Sequence, residues 1–218
     1  MKVPYLKTPE GKYIRLEKAR DLTKLIKKRI VDKNGNIKTV YVRVDEDINI
    51  KRSLEIDKRR WFLNENNNDI QELSKFMRYQ NIEYCCISND GKKSFFKKVG
   101  HKNGVNFLNA ELDKIYNVKL FVHNHPEGHS FSLDDLSMFL FKNIKEMRIV
   151  SRIKNFKIDY ILKLSKEVPE EIKNEICIRY NNSKLSAESL DILNSSHFAM
   201  LSVADEYYQY IRYEFYKH

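Results

Sequence analysis

The segment from Val118 to Lys142 constrains this chain more than any other, because it dictates a strand, a turned loop and a capped helix in that order. Val118-Lys119-Leu120-Phe121-Val122-His123 is a short run rich in β-branched and aromatic residues, which predicts a strand. Pro126 has no N–H to give to a ladder, so the strand stops there, and Gly128 allows the chain to turn back. Ser132 with Asp135 three residues later is the signature of a helix N-terminus, predicting a helix over about Leu133–Lys142.

That segment also holds three of the six histidines, His123, His125 and His129. His123 and His125 are two apart at a strand end, so their rings point to the same face. From this composition a His-x-His-Pro run is expected by chance roughly 0.003 times. Neutral imidazole is the commonest zinc ligand. A helix cap at Ser132 can hold the Asp135 carboxylate close to both rings. Ser-x-x-Asp alone is more often only a cap, and a lone strand-end histidine is more often surface or core than ligand. Their conjunction favours a metal. Two histidines and one carboxylate leave a fourth tetrahedral position open to water, the geometry of catalytic rather than structural zinc.

Around this segment the pattern predicts a helix from Asp69 to about Tyr79, strands at Ile82–Ser88 and Lys93–Val99, and a short helix at Asn109–Tyr116. Strands at Met147–Ile153 and Lys157–Leu164 follow. From Pro169 the chain reads as helical to its end, first to about Tyr180 and then over Leu185–Tyr213, with a tyrosine-rich end packed on the core. The mixture predicts an α/β (α+β) fold. Three segments result: residues 1–62, 69–165 and 169–218.

In the first segment, Leu25–Val31 and Ile37–Val44 read as two strands joined by Asp32-Lys33-Asn34-Gly35-Asn36, where Asn-Gly supplies the positive φ of a hairpin turn. The stretch from there through Trp61 and Asn64–Asn68 reads as a connection without a clear period. Residues 1–62 carry 18 Lys/Arg against 9 Asp/Glu, while residues 63–218 carry 22 against 21, so the excess of positive charge sits on the first quarter. Lys27, Lys28, Arg29, Lys38 and Arg43 would make one side of the hairpin basic. Tyr41 is the one aromatic there, so weak, non-specific nucleic-acid binding is the most that this module offers; plain solvation is the simpler reading. No apolar run approaches the roughly 20 residues of a membrane span, and the residues after Met1 lack the apolar stretch of a signal peptide. Three cysteines, two of them adjacent (Cys85 and Cys86), give no disulfide framework, and a reducing cytoplasm is the expected compartment.

His123-Asn124-His125-Pro126, a short loop and Ser132-x-x-Asp135 resemble the JAMM (MPN+, JAB-domain) zinc metalloproteases. The His-Asn-His-Pro-x-Gly form is similar to the RadC-like and phage-type branch of that family. The resemblance covers residues 69–165, with six residues between His125 and Ser132 where most members have seven. It implies a mixed sheet flanked by helices, related in architecture to the cytidine deaminases, and a bound Zn²⁺ held by His123, His125 and Asp135. The family's upstream glutamate matches Glu83, 40 residues before His123, with Glu111 as the rival; each alone would pass for an exposed carboxylate. By the resemblance Glu83 serves as general base and acid, and Ser132 donates a hydrogen bond to the developing oxyanion. The substrate would be a protein or peptide, including ubiquitin-like conjugates. His129 reads as exposed. A non-catalytic, zinc-stabilised module acting through the basic N-terminus is the alternative. A zinc deaminase is disfavoured, because His-x-Glu and Pro-Cys-x-x-Cys are both missing.

Overall fold

The computed structural model describes the backbone of residues 5–7, 13–15, 25–31, 37–190 and 194–218, and the side chains of 54–190 and 194–218. The chain divides into two compact units, Met1–Arg60 and Trp61–His218.

In the first unit, β1 (Tyr5–Lys7) pairs with β2 (Tyr13–Arg15), and β3 (Leu25–Val31) pairs antiparallel with β4 (Ile37–Arg43), Val31 lying opposite Ile37. The turn expected at Asp32–Asn36 lies outside the described residues, as do the side chains of Lys27, Lys28, Arg29, Lys38, Tyr41 and Arg43. Helix α1 (Val44–Leu63) occupies what the sequence presented as an unpatterned connection. No Gly or Pro interrupts these residues, and from Lys51 on Lys, Arg, Leu and Glu make up most of them, so a helix forms without an apolar stripe to announce it.

The second unit begins with the end of α1 and continues with α2 (Ile70–Met77), β5 (Tyr84–Ser88), β6 (Phe96–Val99), α3 (Asn109–Leu112), β7 (Leu120–His123), α4 (Leu133–Phe141), β8 (Glu146–Ile153), β9 (Phe156–Leu164), α5 (Glu170–Ser189), α6 (Ser195–Glu206) and β10 (Ile211–Lys217). Six strands form one mixed sheet in the order β10-β9-β8-β7-β5-β6. Only β7 and β8 run parallel, joined through α4, since a parallel pair needs a crossover rather than a tight turn. Helices flank the sheet. Cys85, Ile87, Phe121, Met147 and Ile149 face the larger core with Leu136 and Phe139 of α4, Ile176 and Tyr180 of α5, and Met200 and Val203 of α6. Tyr84, Cys86, Leu120 and Val122 face the smaller core with Phe62, Ile70, Leu73 and Met77. Cys85 and Cys86 thus fall on opposite faces of β5, both fully buried, and all three cysteines are free. Among the described residues no helix is long and apolar enough to cross a membrane.

The C-terminal segment departs most from expectation. It is not helical to the end. Helix α5 runs on to Ser189, a break precedes α6, and the tyrosine-rich end is strand β10, paired along its length with β9. Ile211, Tyr213 and Phe215 alternate with Arg212, Glu214 and Tyr216, a period of two that a helical reading of the aromatics overrode. Three strands are shorter than expected, β5 starting at Tyr84, β6 at Phe96 and β7 at Leu120, while the helix near 109 gives way to a 3₁₀ turn over Asp113–Ile115.

Candidate metal centre

Strand β7 lies inside the sheet between β5 and β8, so its end is held on both sides. His123 is opposite Cys85 in the antiparallel β5–β7 register. Carrying that register two residues outward sets Glu83 opposite His125 and on the same face as both histidines. The glutamate and the imidazoles therefore meet by strand pairing, although 40 residues separate Glu83 from His123.

Beyond His125 the chain turns into a loop tied down from below. Gly128 N donates to His125 O at 3.0 Å, Ser151 Oγ donates to the same oxygen at 2.7 Å, and Tyr160 Oη donates to Gly128 O at 3.0 Å. Gly128 sits at φ +79°, and a Cβ built there would stand 2.2 Å from Ile153 Cγ1, so both the left-handed backbone and the close approach demand glycine. The loop brings His129 O to 3.0 Å from His125 Nδ1. A carbonyl only accepts, so Nδ1 carries the proton, and in the neutral ring this leaves the Nε2 lone pair for a metal. The side chain of His129 itself is exposed. His123 Nδ1 is buried without a hydrogen-bond partner, its ring resting edge-on against Phe121.

Asp135 arrives from the first turn of α4. Asp135 N donates to Ser132 Oγ at 3.1 Å, and Asp135 Oδ2 accepts from Ser132 N at 2.8 Å and from Ser132 Oγ at 2.7 Å, a reciprocal capping box. Ser132 lines the cleft above the cluster, but its one hydroxyl proton is committed to Asp135. In this arrangement it orients the carboxylate.

The three ligand candidates converge. His123 Nε2 is 3.1 Å from His125 Nε2, His123 Nε2 is 3.2 Å from Asp135 Oδ1, and His125 Nε2 is 3.4 Å from Asp135 Oδ2. A tetrahedral ion with bonds of about 2.0–2.1 Å separates its ligands by about 3.3–3.4 Å, so the spacing of the three side chains suits such an ion, the two contacts to Asp135 being made through different oxygens. This group can hold a metal. Burial alone would raise the Asp135 pKa, yet the two imidazoles hold it well below the ordinary carboxylate value. Burial likewise disfavours a charged His125, and Asp135, Glu83 and the His129 carbonyl together push its pKa up.

Glu83 is nearly buried and lines the same cleft, about 540 Å³ in volume, with Val105, Phe107, Phe121 and Met138 as its apolar wall. Burial raises the pKa of its carboxyl, and His123 and His125 pull against that rise. Glu111, the rival candidate, is engaged elsewhere: it pairs with Lys98 and accepts from Leu108 N at 2.7 Å, away from the cleft lining.

Sequence reasoning passed over the residues that hold these groups in place. Asn124, Ser151 and Tyr160 are buried polar residues in or beside strands. Asn124 carried a signal, as an amide between the two histidines directly after an apolar strand; Ser151 and Tyr160 carried none.

No protein-family model matches the chain, and no curated protein or solved structure matches it either. Fold and site by themselves define a mixed α/β unit with a two-histidine, one-aspartate cluster at the end of an interior strand.

Proposed function

We propose that this protein is a zinc-dependent hydrolase of amide bonds whose site is organised like that of the JAMM metalloproteases. The observation that carries the proposal is the convergence of His123 Nε2, His125 Nε2 and the Asp135 carboxylate to within 3.4 Å of one another, with Glu83 buried on the same face. His123, His125 and Asp135 would hold the ion. The bound ion supplies Lewis acidity and a water made acidic near neutral pH. Glu83, held in a partly desolvated position, would accept a proton from the attacking nucleophile and deliver it to the departing amine. The raised pKa suits the first half of that exchange, because a carboxyl that gives its proton up less readily is a better base. Ser132 keeps Asp135 in place; donating to an oxyanion would require it to release Asp135 Oδ2. The cleft, walled on one side by Val105, Phe107 and Phe121, takes an extended protein or peptide segment with an apolar residue beside the metal, including the tail of a ubiquitin-like conjugate. The basic residues 1–60 contribute binding, of nucleic acid or an acidic partner, rather than catalysis.

Metal analysis of the purified full chain tests the reading. We expect one zinc per chain, lost in His125→Ala and in Asp135→Ala. Iron in place of zinc would redirect the proposal to redox chemistry, since two histidines and a carboxylate also suit that metal. Glu83→Gln should keep the metal while cleavage of peptide or ubiquitin-like conjugates falls by about 10²–10⁴-fold. Metal binding without any cleavage of such substrates would favour a zinc-stabilised binding module.

A further inference from the structure

We infer that Asn124 is a positioning residue that sets the place of Glu83 relative to the two histidines. The inference rests on the metal-centre reading above. The β5–β7 ladder ends at the Cys85–His123 pair. Had it continued, Tyr84 N would donate to the main-chain oxygen of residue 124, and Ile82 O would accept from the N–H of residue 126. The second bond is impossible, because residue 126 is proline. Asn124 supplies both missing partners from one carboxamide. Its Oδ1 accepts from Tyr84 N at 2.7 Å and its Nδ2 donates to Ile82 O at 3.0 Å, while its own backbone N still donates to Tyr84 O at 3.3 Å.

The orientation of the amide is forced. Turned over, it would set N–H against N–H and oxygen against oxygen. Asn124 is 1% exposed, so neither half can exchange for water. The two peptide groups it grips are those on either side of Glu83. On its other edge Glu83 is gripped by the continuation of β6: Glu83 N donates to His101 O at 2.8 Å, and Gly100 N donates to Glu83 O at 2.8 Å. The residue between the two ligands thereby fixes the carboxylate that faces them. A shorter side chain would leave Glu83 hanging from the β6 side alone.

The test uses the full chain labelled with ¹³C-glutamate and loaded with cobalt(II) or zinc. The Glu83 δ-carbon is identified by its absence in Glu83→Gln. In the unsubstituted protein it should show a large paramagnetic shift between the two metal forms. Asn124→Ala, and Asn124→Ser should the first fold poorly, should bind one metal per chain yet lose at least half of that shift, and protection of the Tyr84 amide from hydrogen exchange should fall tenfold or more. Turnover of a cleavable peptide should drop with KM unchanged, and adding the Asn124 substitution to Glu83→Gln should cost nothing further. A full paramagnetic shift and an unchanged Tyr84 amide in both Asn124 variants would overturn the inference alone. Absence of a shift in the unsubstituted, metal-loaded protein would place Glu83 far from the metal and overturn the site reading with it.

Discussion

Replacing Gly128 by alanine strikes the loop that carries His129 O to His125, and the structure fixes the size of the effect. Two costs apply. An L-residue held at φ +79° loses about 1–2 kcal/mol against its preferred backbone. The new methyl would lie 2.2 Å from Ile153 Cγ1 and 2.4 Å from Cδ1, an overpacking that typically costs about 1–3 kcal/mol. Together they amount to about 2–5 kcal/mol. Ile153 is 38% exposed, so part of the clash can be relieved by swinging its side chain toward solvent, which favours the lower half of that range. Urea denaturation of the metal-free full chain measures the loss, and a cycle with Ile153→Ala separates its parts. In the Ile153→Ala background only the backbone cost of about 1–2 kcal/mol should remain. Metal affinity should fall in Gly128→Ala, because the carbonyl that fixes the His125 tautomer moves with the loop. A loss below 1 kcal/mol would refute the reasoning. So would an equal loss with and without Ile153.

Three further outcomes are expected. Tyr213→Phe removes the hydroxyl that lies 2.7 Å from Ser130 Oγ and 2.6 Å from His197 Nδ1, and should cost about 1–3 kcal/mol by thermal or urea unfolding, since Ser130 is buried and left without that partner. Asp90 accepts from the backbone of Lys93 and Lys92 and from Ser88, which lowers its pKa to about 2; its contribution is present above the unfolded value of about 3.9 and disappears as pH falls through about 2, so Asp90→Asn should flatten the melting-temperature profile across that window. Removing residues 1–60, with Trp61 and Phe62 kept because Phe62 is fully buried against Tyr84, should leave metal content unchanged and abolish salt-sensitive DNA or RNA binding, measured by titration at low and high salt.

The local chemistry of the centre was legible because each signal is short in range. A proline that ends a strand, a serine that caps a helix and two histidines one pleat apart all act within a few residues. The distance from Glu83 to the histidines was legible only through resemblance, since its cause is the pairing of β5 with β7, and register across 40 residues leaves no mark in composition. The C-terminal strand was hidden for a related reason. Tyr207, Tyr208, Tyr210, Tyr213 and Tyr216 satisfy a helical stripe loosely, and only the edge of the sheet beside β9 decides for a period of two. Helix α1 was missed in the opposite way, having propensity without amphipathic pattern. Ser132 shows a limit of motif reading: the cap was foreseen, but that the cap would consume its only proton follows from three distances.

The loop between His125 and Ser132 is fastened by hydroxyls from four separate elements: Ser151 of β8, Tyr160 of β9, Tyr180 of α5 and Tyr213 of β10. During synthesis the histidines leave the ribosome some ninety residues before Tyr213 does. Until that last fastening emerges, the nascent chain has its ligands but no finished seat for them. Completion of that seat is thereby deferred until Tyr213 emerges, and a nascent chain stopped before it would carry His123, His125 and Asp135 with one of the loop's four fastenings missing.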